Sequence, residues 1–187
     1  MTNAPVLGRG AAVAAFSSLV VLAFSPALAA EYPIGKPQLS SGMEVAAVYL
    51  QPITMAPEGI MRPAADSDIH LEGDIHALAD NKNGFAEGEW VPYLVVDYVL
   101  KKDGGGEPLS GRLMPMVAND GPHYGDNVKL MGPGTYALDL TVSPPTADHT
   151  SHFGRHTDKE TGVADWFAPF KVQYTFVFAG TGKKGAY

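Results

Sequence analysis

The sequence predicts an all-β fold built as a two-layer sandwich. Glycine and proline are frequent, with 21 and 15 residues, and they interrupt the chain at short intervals. The segments between them alternate apolar and polar side chains with a period of two, which is typical of strands, and none shows a long helical pattern. Six or seven such strands separated by turns are typical of an immunoglobulin-like β-sandwich.

The strands are predicted from apolar periodicity and from the turns that flank them. They are residues 43–51, 68–78, 91–101, 109–118, 127–131, 135–143 and 170–179. Because alternate residues of a strand share a face, two of these strands have a clear apolar face. We expect the side chains on those faces in the core, namely Ile69, Leu71, Ile75, Phe170, Val172, Tyr174, Phe176 and Phe178.

The first 29 residues are predicted to be a secretory signal peptide rather than part of the fold. Arg9 is their only charged side chain, and residues 11–24 are almost wholly apolar. The triplet Ala27-Leu28-Ala29 has the small-x-small pattern of a cleavage site. The apolar run is short for a membrane span. We expect cleavage after Ala29, which leaves a single β-sandwich domain, residues 30–187, in the periplasm and not inserted in the membrane.

The mature domain is acidic and contains no cysteine. It has 158 of the 187 residues, enough for one domain with a sizeable core. Without Arg9 it carries 12 basic and 20 acidic residues, a net charge of −8. This charge argues against nucleic acid and anionic lipid as partners and is compatible with cations. Without thiolate ligands, a soft metal would have to be bound through methionine.

Side chains that can bind metals line the polar face of the 68–78 strand. His70, Glu72, Asp74 and His76 alternate with the apolar residues and therefore share this face. The alternative is an exposed polar face of an ordinary sandwich, and the pattern alone does not separate the two. His76 lies about 20 Å from His70 along a regular strand, too far to bind the same ion.

A second cluster surrounds the tight turn predicted at residues 119–122. Met116, Asp120 and His123 could converge at the end of the 109–118 strand, because Pro122 restricts the backbone before the histidine. Met114 lies on the same strand face as Met116, and for Met114 we prefer packing in the core.

The remaining histidines, His149, His152 and His156, lie in a long polar loop at residues 144–166, which we expect to be functional. Imidazole suits copper, zinc and iron, thioether selects Cu(I), and carboxylates favour harder ions. The three clusters therefore suggest copper beside a harder metal such as iron. The CxxC, HExxH and GxSxG motifs are all absent from the sequence, so hydrolase chemistry has no support.

Six segments carry long and specific motifs: EYPIG (31–35), HLEGDIHA (70–77), NKNGF (81–85), GEWVPY (88–93), MPMVANDGPHYG (114–125) and RHTDKETGV (155–163). They closely resemble the periplasmic iron-transport proteins encoded beside ferrous-iron permeases, over nearly the whole mature chain. The resemblance implies an immunoglobulin-like fold and a homodimer. It also implies copper near the dimer interface, a second cation nearby, and iron uptake through a partner inner-membrane permease.

The resemblance also implies which residues bind the metals. The copper ligands would be His70, Met116, His123 and His156. Glu31, Glu72 and Asp120 would form the second site, for iron or for manganese in its place. His149 and His152 compete with His156, because the loop before it varies in length within the family.

These observations predict a copper-dependent iron-binding component of a high-affinity iron-uptake system, which passes iron to an inner-membrane permease. A copper-mediated redox role for iron would add to this, without making the protein a conventional enzyme. The alternative is a periplasmic copper chaperone or buffer, which Met116 beside histidines would suit but which has no need of three converging carboxylates. A structural surface domain with incidental metal binding would leave the clustering of the histidines unexplained.

Overall fold

The structure is a computed structural model that describes Met1, residues 31–150 and residues 152–182. Nearly all of the predicted signal peptide lies outside the described residues, so its cleavage stays a prediction. The described part of the chain contains nine β-strands and two short 3-10 helices, Ala64–Asp66 and Pro145–Ala147. The strands are β1 (Tyr32–Pro33), β2 (Gln38–Ser40), β3 (Met43–Leu50), β4 (Ile69–Ala77), β5 (Val95–Lys102), β6 (Leu109–Ala118), β7 (Gly121–Val128), β8 (Gly134–Ser143) and β9 (Phe170–Phe178).

The strands form one antiparallel sheet that folds over itself at β6. The order is β1-β3-β4-β7-β6-β5-β8-β9, with β2 also paired to β3. Residues 109–113 of β6 pair with β5, and residues 114–118 pair with β7. Because β6 belongs to both halves, the β3-β4-β7 layer can pack face to face with the β5-β8-β9 layer. The all-β sandwich predicted from the sequence is confirmed.

The two layers meet in an apolar core that contains the predicted faces. The Tyr174 hydroxyl of β9 donates a hydrogen bond to the Val45 carbonyl of β3 at 2.7 Å, which joins the layers directly. Of the eight expected core residues, seven are buried, and Phe170 is partly buried and packs against the same core. The apolar periodicity therefore identified the correct faces of β4 and β9.

β7 begins earlier than the sequence predicts. We expected a turn at residues 119–122 and a strand at 127–131, but β7 starts at Gly121 and ends at Val128. Ala118 of β6 pairs with Gly121, so the connection between the two strands has only two residues. The φ angle of Gly121 is 136°, which glycine adopts far more readily than other residues. The Gly-Pro pair therefore opens a strand, and His123 lies inside that strand instead of after a turn.

Two long loops flank the sandwich. Residues 51–68 connect β3 to β4, and we call residues 51–67 the cover loop. The loop between β8 and β9 is fastened by Asn83, whose side-chain amide donates to the carbonyls of Ala164 and Asp165, both at 3.1 Å. Among the described residues, no helix is long and apolar enough to cross a membrane.

Candidate metal centre

Three neighbouring strands bring candidate ligands onto one face of the sheet. β7 lies between β4 and β6 and pairs with both. Met116 of β6 is the direct partner of His123 of β7, and Glu72 of β4 is the partner of Gly125 of β7. Because alternate residues of a strand share a face, His70 also lies on the face that carries these side chains.

His70, Glu72 and His123 form a compact and buried group. Their ligand atoms all lie within 4.8 Å of one another. Oε1 of Glu72 is 3.5 Å from Nε2 of His70 and 3.3 Å from Nε2 of His123. The exposed fractions of the three residues are 0%, 6% and 7% in chain order. Three ionisable groups buried this closely are unfavourable unless they share protons or bind a cation.

Gly125 provides the space in which His70 and Met116 approach each other. A Cβ atom at this position would lie 2.5 Å from Nε2 of His70 and 3.0 Å from Sδ of Met116. The imidazole nitrogen and the thioether sulfur therefore lie over the backbone of the glycine, where another side chain would collide with them. Glycine within a strand often marks such a close approach.

The two ring nitrogens of His70 have different surroundings. Nδ1 lies 3.0 Å from Oδ1 of Asn127, whereas Nε2 is buried without a hydrogen-bond partner. Burial, with a contribution from the nearby His123, lowers the pKa of His70 to about 4 although the Asn127 hydrogen bond acts in the opposite direction. His70 is therefore neutral at pH 7, the form in which imidazole binds metals. A buried polar atom without a partner is rare in native proteins, and a bound ion would satisfy it.

Four carboxyl groups converge beside the histidines. Burial, together with the charges of Asp74, Glu31 and Asp120, raises the pKa of Glu72 to about 8. Burial and a hydrogen bond between the side chains of Glu31 and Asp120 raise the pKa of Glu31. Burial also raises the pKa of Asp74. Carboxyl groups that disfavour each other's ionisation are stabilised by a cation, and oxygen ligands suit the harder metals.

A cavity of about 1020 Å³ gives access to this group. The cover loop forms one wall, and the β6–β7 hairpin forms the other. The wall side chains include Ile53, Met55, Ile60 and Val117, so the approach to the ligands is partly apolar. The sequence-predicted ligands that line the cavity are Glu31, His70, Glu72, Met116, Asp120 and His123.

His156 lies apart from the other predicted copper ligands. Its side chain is 76% exposed, and Nδ1 is 2.8 Å from Oγ1 of Thr161. His156 does not line the cavity, and neither do the exposed His149 and His152 from the same loop. Within one chain, the structure therefore brings together three of the four predicted copper ligands and all three predicted carboxylates.

Sequence reasoning did not select Gly125, Asn127 or Asp74. The polar face of β4 was a signal for Asp74. Gly125 gave no such signal, because the predicted strand began at residue 127 and did not include it. Nothing in the local sequence indicates that Asn127 pairs with His70, because the two are 57 residues apart and meet only through β4–β7 pairing.

The donor set of the buried group fits copper. It offers the Nε2 atoms of His70 and His123, the thioether of Met116 and a carboxylate oxygen of Glu72. Imidazole binds both copper oxidation states, and the thioether favours Cu(I). Nε2 of His70 is buried without a hydrogen-bond partner, and a bound ion would satisfy it.

Comparison with known proteins identifies relatives over most of the chain. The family model described as Fe2+ transport protein matches residues 28–180. The UPF0423 protein of Brucella abortus is 69% identical over 161 residues, which are 86% of this chain and 88% of that protein. The 34 kDa membrane antigen of Treponema pallidum is 37% identical over 149 residues, which are 77% of this chain and 72% of that protein.

Solved structures with the same fold include proteins studied with copper. FetP of uropathogenic E. coli, recombinantly expressed in the periplasm of E. coli, has a TM-score of 0.77 and 52% identity, covering 82% of this chain and 99% of its own. The copper-reconstituted P19 protein from Campylobacter jejuni has a TM-score of 0.78 and 53% identity, covering 82% of this chain and 99% of its own.

Proposed function

The chain belongs to the family of Fe²⁺ transport proteins, and from this membership and the geometry of the metal centre we propose that it is a periplasmic, copper-dependent iron-binding component of an iron-uptake system. His70, Met116 and His123 hold copper, and the neighbouring carboxyl groups bind the iron that is transported. The observation that carries the copper assignment is the buried, unpartnered Nε2 of His70 over Gly125, beside a thioether.

The iron site in this proposal is formed by Glu31, Glu72 and Asp120. Glu31 and Asp120 are hydrogen-bonded to each other, and both charges act on Glu72. Asp74 acts on the same groups and is a candidate for a fourth carboxylate. A site made of carboxylates suits iron, and manganese would bind to it for the same reason.

Glu72 links the two sites because its carboxyl group contacts both histidines and is affected by the other carboxyl groups. Bound copper would supply a one-electron Cu(I)/Cu(II) couple next to the iron. The chain contributes two imidazoles and one thioether, which together tolerate both copper states. The carboxyl groups hold the iron nearby, and the cavity gives it a way in and out.

The fourth copper ligand, His156, is proposed to come from a second copy of the chain. The His156 side chain is exposed and does not line the cavity of its own chain. Val117 and Ile60 line the cavity and are 77% and 49% exposed, so part of the cavity rim is apolar and exposed. A homodimer that covers this rim would bury the two side chains and could deliver a histidine to the site.

The proposed location is the periplasm, where the protein would deliver iron to an inner-membrane permease. The small-x-small site at the end of the predicted signal peptide supports export. The similarity to FetP, which was expressed recombinantly in the periplasm of E. coli, is consistent with this location.

Iron uptake by the native organism tests this function. We expect deletion of the gene to reduce uptake under iron limitation and the wild-type gene to restore it. A variant with both His70→Ala and His123→Ala should fail to restore uptake, while His149→Ala, which changes an exposed histidine outside the cavity, should succeed. Elemental analysis of protein purified from its own periplasm should show copper.

The copper chaperone or buffer remains the competing function for this experiment. In that case the deletion strain would be sensitive to copper but would take up iron normally. Purified protein would contain copper, and Glu31→Gln together with Asp120→Asn would change neither copper resistance nor copper content. Such a result would reject the iron-transport proposal.

A further inference from the structure

Asn127 is a buried residue that connects the metal centre to the cover loop. It is the direct partner of His70 in the β4–β7 pairing and is 2% exposed. Its Nδ2 donates hydrogen bonds to the carbonyls of Ile53 at 2.8 Å and Arg62 at 2.9 Å. Its Oδ1 accepts one from the backbone N–H of Ile53 at 3.2 Å. One amide therefore fastens two distant points of the loop and also contacts a candidate copper ligand.

These contacts determine which way the amide points. The carbonyls of Ile53 and Arg62 can only accept hydrogen bonds, so the NH₂ group of Asn127 must face them. Oδ1 must then face Nδ1 of His70 at 3.0 Å, and Nδ1 must carry the hydrogen that it donates. In a neutral imidazole, this leaves a lone pair on Nε2, the buried atom over Gly125.

We propose that Asn127 is a positioning residue that fixes His70 as the Nδ1–H tautomer, with the Nε2 lone pair directed into the metal site, and that it makes this state depend on closure of the cover loop. The part concerning metal binding rests on the proposed function. The tautomer and its coupling to the loop are properties of the metal-free protein, and they are inferred from its hydrogen bonds alone.

The closed cover loop and the Nδ1–H tautomer of His70 stabilise each other. If the cover loop moved away, Nδ2 of Asn127 would lose both carbonyl acceptors. The amide would then no longer be held in one orientation, and His70 could adopt either tautomer. By linkage, metal bound at Nε2 should stabilise the closed loop to the same extent that the closed loop strengthens metal binding.

Two substitutions separate the two functions of the amide. Asn127→Leu keeps the branched shape of the side chain and removes the acceptor and both donors. Asn127→Asp keeps an acceptor for Nδ1–H of His70 but cannot donate to the two loop carbonyls. The matched control is Asn83→Leu, because the Asn83 amide fastens the β8–β9 loop through two carbonyls in the same way, away from the cavity.

The measurements begin with the metal-free protein. Nitrogen-15 NMR of labelled histidine reports the tautomer, and hydrogen exchange reports opening of residues 53–62. We expect the Nδ1–H tautomer in the wild type, both tautomers and faster loop exchange in Asn127→Leu, and the original tautomer with faster loop exchange in Asn127→Asp. Asn83→Leu should change neither quantity.

Copper titration then tests the consequence for the site. Loss of a hydrogen bond that orients a ligating histidine typically weakens metal binding about 10- to 100-fold, and we expect a loss in this range for Asn127→Leu and a smaller loss for Asn127→Asp. Added copper should slow exchange in the loop of the wild type.

Several outcomes would reject the inference. An Nε2–H tautomer in the wild-type protein would do so directly, without any variant that has to fold. Unchanged tautomer and loop exchange in folded Asn127→Leu would do so as well. If the wild type showed the expected tautomer and loop coupling but bound no copper, the proposed function would fail and the role of Asn127 in the metal-free protein would remain.

Discussion

Oε1 of Glu72 lies 3.3 Å from Nε2 of His123. The same oxygen lies 3.5 Å from Nε2 of His70, so one carboxyl group is within reach of both histidines of the candidate copper site. The sequence resemblance assigned Glu72 to the second metal alone. Its position between the histidines and the other carboxyl groups makes it the residue through which the two sites are expected to influence each other.

Copper binding at pH 7 should release a proton from Glu72. The pKa of this carboxyl group is raised to about 8, so it is protonated in the metal-free protein, and a cation at the histidines favours its ionisation. Calorimetry in buffers with different ionisation enthalpies should report about one proton released per copper ion.

Glu72→Gln should abolish this proton release, and it should weaken the second metal more than copper. Asp139→Asn is the matched control, since Asp139 is also buried but accepts hydrogen bonds from Gln173 and Lys171 in the other layer. Equal proton release by wild type and Glu72→Gln would mean that the proton comes from another group. Loss of copper alone would contradict the two-site arrangement.

The metal-free protein should lose stability as the pH rises from about 6.5 to 8. The folded protein keeps a proton on Glu72 up to about pH 8, whereas the unfolded chain releases it near the ordinary value of 4.5. Stability therefore falls with rising pH over this interval, by up to about 1.4 kcal/mol per pH unit. Urea unfolding at several pH values measures it, and Glu72→Gln should remove the slope.

His70 has the opposite effect at lower pH. Its pKa is lowered from 6.5 to about 4, so the unfolded chain binds a proton in this interval and the folded protein does not. The His70 contribution is thus present above pH 6.5 and is lost as the pH falls to 4. Glu72→Gln proteins with and without His70→Ala should therefore differ in this acid-side loss, and identical pH profiles would contradict the lowered pKa of His70.

Met116→Leu should weaken Cu(I) binding at least about tenfold and affect Cu(II) much less, because it removes the thioether of the site. The matched control is Met114→Leu, two residues earlier on the same strand face, whose side chain does not line the metal cavity. Competition with a Cu(I)-specific chelator measures the affinity. Equal Cu(I) affinities in wild type and Met116→Leu would show that this methionine only fills space.

Gly125→Ala should block the copper site while the sandwich still folds. The added methyl group would collide with Nε2 of His70 and crowd Sδ of Met116. We expect copper affinity to fall at least about tenfold, measured by titration, with an unchanged circular dichroism spectrum. Gly154→Ala is the control, because its Cβ would meet no atom within 4 Å. Wild-type affinity in Gly125→Ala would place copper elsewhere.

A mixed dimer should recover a copper site that neither single variant forms. If His156 comes from a second copy, His70→Ala and His156→Ala homodimers each lack a complete site. A heterodimer of the two would contain one complete site and one that lacks both histidines. Equal amounts of the two variants are unfolded and refolded together, so that about half of the dimers are heterodimers. Spectroscopic titration should then detect one tightly bound copper ion in about half of the dimers. No recovery, or a monomer mass in light scattering, would contradict the proposal.

The sequence by itself determined the fold class and the faces of the main strands. Period-two alternation is a local property, so Leu71 and Ile75 could be assigned to the core and His70 and Glu72 to the opposite face without knowledge of any neighbour. The residue at which β7 starts, in contrast, could not be predicted from the local sequence. The Gly121-Pro122 pair is typical of a turn, and only pairing with β6 makes it the beginning of a strand.

Only the tertiary structure decided how the site is assembled. Side chains that are distant in the chain, such as His70 and Asn127, meet through strand pairing, and burial in the folded protein then shifts the pKa values of His70 and Glu72. Desolvation and close approach depend on what lies above and beside a residue in space. The sequence could therefore name the residues able to bind metals, but the three-dimensional packing determined which of them share one cavity and left His156 outside it.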